Sequence, residues 1–421
     1  MHIVILYQHY LRPGEPGHSR VNEYANIWAN AGHKVSVITG QTSYMTGLKE
    51  RKYFRRFCVT ESDGPVDVYR CFVPTDSNRS FLRRAFSYFA FAFSSAIIFR
   101  RLQSPSILLC SSPPLTIGMP ALVVCKLSRI PLLFEVRDLW PESAVSTGVL
   151  TNKTMIRFLA WLERKCYAQA DRLNVLTPAF KQNIVDRGLK ESDLVHNIPC
   201  GVDTEAMRPT KGVDEGRREL GWGDRIVVLY TGAVGRANRL SQLVATAELL
   251  KDREDVLIAI VGGGMEADAI NERIVESGLR NIIFHGSRPK EEMPGIIASA
   301  DICCAVLMKS DTFKTVYPNK VFDYMACQKP VIVAIDGIIR ELLEKERSGI
   351  YVEPENPESI ARGILALADH PERAQEMGRN GRSFVERDFD RDVVAKRYEK
   401  LLEETVAGNN SLPPSKHTKD S

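Results

Sequence analysis

The chain has 421 residues, and at about 100 to 200 residues per domain this length predicts two or three domains. Its 44% hydrophobic and 26% charged residues exclude a disordered, collagen-like or polytopic membrane chain. A net charge of +4 is too small to indicate nucleic-acid binding, so no nucleic-acid partner is expected.

Short apolar runs alternate with longer helical patterns along most of the chain, which predicts βαβ units and parallel sheets. In the N-terminal half the predicted strands lie at residues 2–7, 34–39, 66–73, 107–111, 132–137 and 172–177. After a polar stretch the pattern resumes, with strands at residues 225–230, 256–261, 281–285, 302–307 and 331–334.

This pattern predicts an α/β fold with two doubly wound, Rossmann-like domains, at residues 1–202 and 203–385. A C-terminal helix at residues 386–407 would return to the first domain, and the polar tail 408–421 would be disordered. Ligands of such sheets bind beyond the carboxyl ends of the strands, so two facing domains would form an interdomain cleft.

The loop after the first predicted strand contains Gly14 and Gly17, just before a helical pattern that begins near Ser19. Glycine lets a ligand approach the backbone, and a helix N-terminus offers free N–H groups to an anion. The loop is therefore a candidate phosphate site, although an ordinary βα loop has the same composition.

An apolar segment, residues 85–99, contains five phenylalanines and is flanked by two arginine pairs. As a helix it would extend about 22 Å, too short for the hydrocarbon core of a bilayer. It could lie on an anionic membrane surface or form a buried helix of the first sheet. The basic excess of residues 1–200, with 25 Lys and Arg against 15 Asp and Glu, favours the membrane. The candidate membrane residues are Arg83, Arg84, Phe89, Phe91, Phe93, Arg100 and Arg101.

Arg137 and Asp138 stand at the end of the strand predicted at residues 132–137, and Glu142 follows shortly after. Charged residues at the carboxyl end of a buried strand are candidates for substrate contacts. The alternative for the first two is a local ion pair, and the position at the end of a buried strand favours the functional interpretation.

The most informative stretch places Asn319, Lys320 and Asp323 within one helical turn, directly before another buried strand. Such a turn combines free N–H groups, a cation for phosphate and a carboxylate for sugar hydroxyls. A lysine this close to a helix N-terminus opposes the helix dipole, which favours a functional role. By contrast, residues 262–267 formally fit the dinucleotide fingerprint, but they follow the second strand of their domain and lack an acid at the usual spacing.

The chain resembles the retaining, nucleotide-sugar-dependent glycosyltransferases of family 4, which have the two-domain GT-B fold. The resemblance covers nearly the whole chain and is clearest at residues 32–39, 198–203, 257–262 and 323–331. Residues 136–143 and 318–320 are most similar to bacterial O-antigen and capsule enzymes of the N-acetyl-L-fucosaminyltransferase type.

The resemblance implies site residues, and the sequence departs from several of them. Of the family's two glutamates spaced by seven residues, the second corresponds to Asp323, the expected ribose ligand, and the first to Thr315. The family's histidine after an N-terminal strand corresponds to Arg137. The Arg and Lys that usually hold the phosphates correspond to Ala233 and Asn238, and Arg236 is the proposed replacement. The expected base contacts are Gly262, Ser287 and Arg288.

The expected reaction transfers an N-acetylated deoxyhexosamine from a UDP-sugar to a polyprenyl-diphosphate-linked sugar. The candidate catalytic residues are Lys320, Arg137, Asp138 and Glu142. The UDP-sugar is a substrate, so it does not count as a cofactor. No cofactor and no metal are expected. Nine cysteines without a C-x-x-C motif indicate reduced thiols in the cytosol. The lipid-linked acceptor that the resemblance implies would place the enzyme peripherally on the inner face of a bacterial plasma membrane. The alternatives are a UDP-sugar epimerase and a catalytically degenerate scaffold that binds nucleotide sugars.

Overall fold

The computed structural model describes residues 1–13, 15, 20–43, 46–74, 81–146, 148–209 and 213–410. They form two compact units. The first comprises Met1–Leu176, Phe180–Ile198 and the chain from Ala395 onward, and the second comprises Thr177–Ala179 and Pro199–Val394. The first boundary therefore falls at residue 198, whereas the sequence places it at residue 202.

The first unit is built on an eight-stranded sheet in the order β3-β4-β2-β1-β5-β6-β7-β8. Only β3 runs antiparallel to its neighbour. The strands are β1 (His2–Leu6), β2 (Lys34–Gly40), β3 (Cys58–Asp63), β4 (Val66–Cys71), β5 (Ile107–Ser112), β6 (Leu132–Val136), β7 (Arg172–Val175) and β8 (Val195–Asn197). Its helices are α1 (Arg20–Asn30), α2 (Phe81–Phe99), α3 (Gly118–Ser128), α4 (Glu142–Ser146), α5 (Lys153–Gln169) and α6 (Pro178–Asp186).

The second unit is built on a six-stranded parallel sheet in the order β11-β10-β9-β12-β13-β14. The strands are β9 (Ile226–Thr231), β10 (Val256–Val261), β11 (Ile282–Phe284), β12 (Ile302–Val306), β13 (Val331–Ala334) and β14 (Gly349–Tyr351). The helices are α7 (Val213–Glu219), α8 (Ser241–Leu249), α9 (Ala267–Ser277), α10 (Met293–Ala298), α11 (Asn319–Ala326), α12 (Ile338–Lys345), α13 (Pro357–Ala368) and α14 (Pro371–Phe384).

In both sheets the strand order reverses its direction at a central strand. In the first sheet β1 lies between β2 and β5, and in the second β9 lies between β10 and β12. The connections therefore diverge next to these central strands, which leaves a crevice at their carboxyl ends. In open α/β sheets this switch point is where ligands bind.

The strands that the sequence predicts are the ones buried on both faces. All residues of β1, β6, β10 and β12 are buried, so each appears in the sequence as a largely apolar run. The missed strands lie at sheet edges: β3 is only partly buried, while β8 and β14 have three residues each. Short or half-exposed edge strands carry little apolar signal.

The C-terminal helix, α15, spans Arg391–Asn410, so the predicted range of 386–407 is wrong at both ends. Residues Val385–Phe389 form a π-helical turn instead. The Asp390 carboxylate accepts hydrogen bonds from the N–H groups of Asp392 and Val393, which caps α15. The tail predicted to be disordered from residue 408 begins inside this helix, and residues 411–421 lie outside the described part of the chain.

Packing of α15 against α1 explains why the end of the chain belongs to the first unit. The Trp28 indole donates to the Ala395 carbonyl at 3.0 Å, and its ring centroid lies 5.6 Å from that of Tyr398. Within the described ranges, no helix is both long enough and apolar enough to span a bilayer.

Arg20, the first residue of α1, forms a buried ion pair with Glu135 in β6. Its two terminal nitrogens donate to the two carboxylate oxygens at 2.6 and 2.7 Å, and both side chains are 3% exposed. Burial raises the pKa of Glu135, but the charge and hydrogen bonds of Arg20 outweigh it, so the net shift lowers this pKa. The pair therefore fixes the start of α1 against the centre of the sheet.

We expect Glu135→Gln to destabilise the first unit by about 3–5 kcal/mol, because the Arg20 guanidinium would stay buried without its carboxylate. Hydrogen exchange of peptides from β1 and β6 would measure this loss, and peptides from β9 and β10 would measure the cost of the control. The matched control is Asp255→Asn, which breaks a half-exposed ion pair with Arg253 and should cost less than about 1 kcal/mol. A similarly small cost for Glu135→Gln would contradict the prediction.

Candidate active site

Lys320, in the first turn of α11, extends its side chain over the ring of Tyr230 at the end of β9. Its Nζ lies 3.8 Å from the ring centroid, and this buried atom finds no hydrogen-bond acceptor among the described residues. Burial lowers the pKa of Lys320 to about 7, against weaker raising effects of Cys304 and Asp323. A phosphate is the kind of anion that could supply the missing negative charge.

Three glycines bring the loops after β9 and β10 into contact beside this amine. A Cβ on Gly262 would lie 1.8 Å from the carbonyl oxygen of Gly232, and a Cβ on Gly264 would lie 2.4 Å from that of Val234. A Cβ on Gly232, whose φ is +115°, would lie 3.1 Å from Lys320 Nζ. The glycine run after β10 thus serves close packing of two loops, which accounts for its likeness to a dinucleotide fingerprint.

The orientation of α11 is fixed by Tyr324, which lies one turn after Lys320 on the same helix face. The Tyr324 hydroxyl accepts a hydrogen bond from the Thr231 N–H at 2.8 Å and lies 3.0 Å from the Thr231 hydroxyl. Because Thr231 ends β9 and Tyr324 is fully buried, this contact holds Lys320 at the switch point of the second sheet.

The two positions that correspond to the family's glutamates differ in their surroundings. Asp323 is half-buried on α11, one turn from Lys320. Thr315 ends a 3-10 turn, Asp311–Thr315, in which its hydroxyl donates to the Thr312 carbonyl at 2.7 Å. The predicted ribose ligand therefore lies beside the amine, whereas the first position holds a hydroxyl engaged in a local turn.

The remaining predicted phosphate ligands fall into three groups. Asn319 and Arg236 are exposed, at the start of α11 and in the loop after β9. Asn238 is 8% exposed and interacts with the Tyr230 hydroxyl, beneath the amine of Lys320, and its role as a phosphate ligand stays a prediction. Gly14 and Gly17 lie outside the described residues.

The predicted base contacts lie on the loops after β10 and β11. Ser287 packs against the glycine run, because a Cβ on Gly263 would lie 2.2 Å from its Oγ. Arg288 is exposed and pairs with Glu292, with 3.8 Å between nitrogen and oxygen. Gly262 and Ser287 thus line one loop cluster, whereas Arg288 faces a surface carboxylate.

In the first unit, Arg137 and Asp138 follow β6 at the carboxyl edge of the sheet. The Arg137 guanidinium donates to the Tyr7 hydroxyl at 2.9 Å and lies 5.3 Å from the centroid of that ring. Burial raises the pKa of Asp138, against hydrogen bonds from Ser143 and Trp140 that lower it. Glu142, at the start of α4, is exposed.

Sequence reasoning missed Tyr7 and His9, which contact or face Arg137. Burial, together with the Arg137 charge, lowers the pKa of His9 to about 4, so this imidazole is neutral at physiological pH. Both residues follow β1, the central strand of the first sheet. Their position at a predicted switch point was a usable signal, because chemistry in these folds concentrates there.

Helix α2 has one buried and one exposed face, which the uniformly apolar sequence concealed. Phe91 is fully buried, so its predicted membrane role is wrong, whereas Phe86, Phe89 and Phe93 are 63%, 41% and 68% exposed. Together with Phe57 and Phe72 these three rings form what we call the aromatic surface. Arg55 and Arg56 line it as well.

The predicted arginines at the two ends of α2 differ in what the structure describes. Arg83, Arg100 and Arg101 are exposed, while the side chain of Arg84 lies outside the described part of the chain. Lys49 adds a further cation, with its Nζ 4.3 Å from the centroid of the Phe72 ring. Cations therefore surround exposed aromatic rings in this part of the first unit.

Both halves of the chain match glycosyltransferase families. Residues 17–201 match the glycosyl transferase 4-like domain, and residues 213–384 match the glycosyl transferases group 1. A relative described as "Probable glycosyltransferase WbjE" from Pseudomonas aeruginosa is 24% identical over 66% of this chain and 70% of its own length. D-inositol 3-phosphate glycosyltransferase from Corynebacterium jeikeium is 28% identical over 61% of each chain.

Solved structures share the fold over nearly the whole length. Sucrose-phosphate synthase from Thermosynechococcus elongatus superposes with a TM-score of 0.73 and 18% identity, covering 97% of this chain and 99% of that one. Anabaena HepE in complex with UDP gives a TM-score of 0.68 with 16% identity, covering 96% of this chain and 100% of its own. These matches favour sugar transfer over the epimerase alternative. The chain belongs to the glycosyltransferases and has the two-domain GT-B fold, with a glycosyl transferase 4-like domain followed by a group 1 glycosyl transferase domain.

Proposed function

We propose that this glycosyltransferase transfers a sugar from a UDP-sugar to a polyprenyl-diphosphate-linked sugar at the inner face of a bacterial plasma membrane. The product would be a surface polysaccharide of the O-antigen or capsule type. Similarity of residues 136–143 and 318–320 to N-acetyl-L-fucosaminyltransferases supports an N-acetylated deoxyhexosamine as the sugar, with retention of configuration.

The observation that carries the donor part of this proposal is the unpaired amine of Lys320. Departure of a nucleoside diphosphate builds negative charge on its phosphate oxygens, and a preorganised cation stabilises that charge. Lys320 would supply the cation and Asp323 would bind the ribose hydroxyls, so we propose that transfer needs no metal ion. HepE was solved with UDP and with UDP-glucose, which supports a uridine nucleotide here.

On the acceptor side, we propose that Arg137 and Asp138 orient the acceptor sugar, with neutral His9 beside them. The Tyr7 hydroxyl holds the guanidinium in place at 2.9 Å, so the Arg137 donors are preorganised. Asp138 retains hydrogen-bonding capacity for sugar hydroxyls in either protonation state. Glu142 is exposed and has no role in this proposal.

The aromatic surface supports the membrane part of the proposal. Its exposed rings can enter the headgroup region, and the surrounding arginines can pair with anionic lipids. Both alternatives that the sequence left open for α2 then hold, one for each face. The buried face packs in the unit, as Phe91 does, and the exposed face would contact lipid.

A catalytically degenerate, nucleotide-sugar-binding scaffold remains the second candidate. It is favoured by Thr315, whose hydroxyl is engaged in a turn where the family places an acid. Release of free sugar from UDP-sugars without acceptor distinguishes the two, because an enzyme should hydrolyse its donor slowly and a scaffold should not.

Replacing Lys320 with methionine should weaken UDP binding about 10- to 100-fold, because one charge-assisted contact to phosphate is lost. The same change should lower kcat about 10²- to 10³-fold. Titration calorimetry with a panel of nucleoside diphosphates measures the first effect. Lys314→Met, at a half-exposed lysine in the preceding turn, is the matched control and should bind UDP normally. Normal UDP affinity in Lys320→Met would remove this residue from the donor site.

The affinity for UDP should fall as pH rises above 7. Free Lys320 has a pKa of about 7 and is charged below that pH, whereas a bound phosphate should raise this pKa. Above pH 7 binding must therefore take up a proton, and Kd should rise by up to about tenfold per pH unit. Calorimetry between pH 6.5 and 9 tests this, with Lys320→Met as the control that should show no such dependence. A flat profile for the wild type would contradict it.

Changing Phe86 and Phe93 together to serine should abolish most binding to liposomes that contain anionic phospholipid, since the two most exposed rings of the aromatic surface are lost. Flotation assays measure the bound fraction, and UDP affinity should not change. Leu127→Ser is the control, because this leucine is 71% exposed on α3, outside the aromatic surface. Equal flotation of the double variant and the wild type would leave α2 without a membrane role.

A further inference from the structure

A narrow apolar groove lies in the first unit, between α2, α5 and the loops that follow β5 and β6. Its cavity volume is about 130 Å³, and its lining includes Phe89, Leu115, Trp140, Leu150 and Leu159. Leu115, Leu150 and Leu159 are between 2% and 6% exposed, so the walls belong to the core of the unit. The groove is therefore a preformed cavity, of the kind that usually takes an apolar ligand.

One lining residue, Thr116, carries a hydroxyl that has no hydrogen-bond partner among the residues that the structure describes. Thr116 is 6% exposed, and its hydroxyl oxygen makes no hydrogen bond within the described ranges of the chain. It sits in the 3-10 turn Leu115–Ile117, directly after β5, at the switch point of the first sheet. A buried hydroxyl without a partner is unfavourable in the empty protein, which points to a ligand that brings an oxygen to it.

The size of the groove restricts what its apolar part can hold. A cavity of about 150 Å³ lined by Leu, Ile and Phe takes up benzene, which has six carbons. At about 130 Å³ this groove has room for about five carbons in a compact arrangement. A branched five-carbon isoprene unit fits this volume.

Two lining residues indicate the direction of the ligand. Phe89 lines the groove and also belongs to the aromatic surface, so the groove and this surface share a ring. Trp140 lies in the loop that carries Arg137 and Asp138. A ligand with an apolar tail towards α2 and a polar head towards this loop therefore fits the lining.

We propose that this groove binds the first isoprene unit of the polyprenyl acceptor, and that the Thr116 hydroxyl donates a hydrogen bond to the adjacent diphosphate oxygen. The inference rests on the proposed function, because it assumes a lipid-linked acceptor. It assigns the enzyme a means of recognising the lipid itself, in addition to the sugar. A head-proximal isoprene unit places a branched carbon skeleton next to a phosphate oxygen.

The proposal is tested on the full chain with farnesyl diphosphate, dodecyl diphosphate and inorganic diphosphate, each titrated by calorimetry below its micelle concentration. We expect farnesyl diphosphate to bind at least tenfold more tightly than dodecyl diphosphate, which has the same head on a linear tail. Inorganic diphosphate should bind more weakly than either.

Variants separate the two contacts. Thr116→Val removes the hydroxyl at nearly constant shape and should weaken farnesyl diphosphate about 3- to 10-fold, without lowering the melting temperature. Thr116→Ser retains the hydroxyl and should restore the affinity. Leu159→Phe fills the groove and should abolish the preference for farnesyl over dodecyl diphosphate. If Leu159→Phe is unstable, the two Thr116 variants and the three ligands measured on the wild type still test the proposal.

Equal binding of farnesyl and dodecyl diphosphate would overturn the isoprene assignment and indicate a general amphiphile groove. Unchanged affinity in Thr116→Val would overturn the hydroxyl contact. UDP binding measured on the same samples keeps the two proposals distinct. If the wild type did not bind UDP but still preferred farnesyl diphosphate, the result would contradict the donor proposal. If it bound UDP without this preference, the result would contradict only the groove proposal.

Discussion

A buried amine without a hydrogen-bond acceptor in the described part of the chain is the constraint around which the switch point of the second unit is arranged. Lys320 Nζ is buried over the Tyr230 ring, and its depressed pKa reports the cost of desolvation. Two features hold the amine in this position. The Tyr324 hydroxyl is hydrogen-bonded to Thr231 at the end of β9, and Gly232 leaves room for the amine. The fold thus maintains a position that is unfavourable when empty, and an anion would relieve it.

The glycines around this amine allow both close packing of two loops and the approach of a ligand. Gly262 and Gly264 let two βα loops touch through their backbones, which brings both loops together at the switch point. Any side chain at these positions would separate the loops. The same closeness that excludes a Cβ creates a surface that a phosphate can approach, so the glycine run need not bind a dinucleotide to be required.

The sequence predicted the strands that are buried on both faces, and it missed the features that depend on the direction in which a side chain faces. Strands such as β10 are buried on both faces, so their apolar runs reveal them, and Lys320 was recognisable because it opposes the dipole of its own helix. Phe91 and Phe93 are alike in sequence, yet one is fully buried and the other 68% exposed, because only the packed helix has two faces. Likewise, Asn238 turns to Tyr230, which no spacing rule indicates.

Arg20 and Lys320 show why residue type and burial cannot separate structure from chemistry. Both lie in the first turn of a helix, Arg20 in α1 and Lys320 in α11. Arg20 has a bidentate carboxylate, Glu135, so its charge is compensated within the fold and is unavailable to a ligand. Lys320 has Asp323 one turn away but no hydrogen-bonding acceptor in the described part of the chain, so its charge can respond to what binds. The partner, and not the residue type or its burial, therefore decides which cation stabilises the protein and which one is left for a substrate.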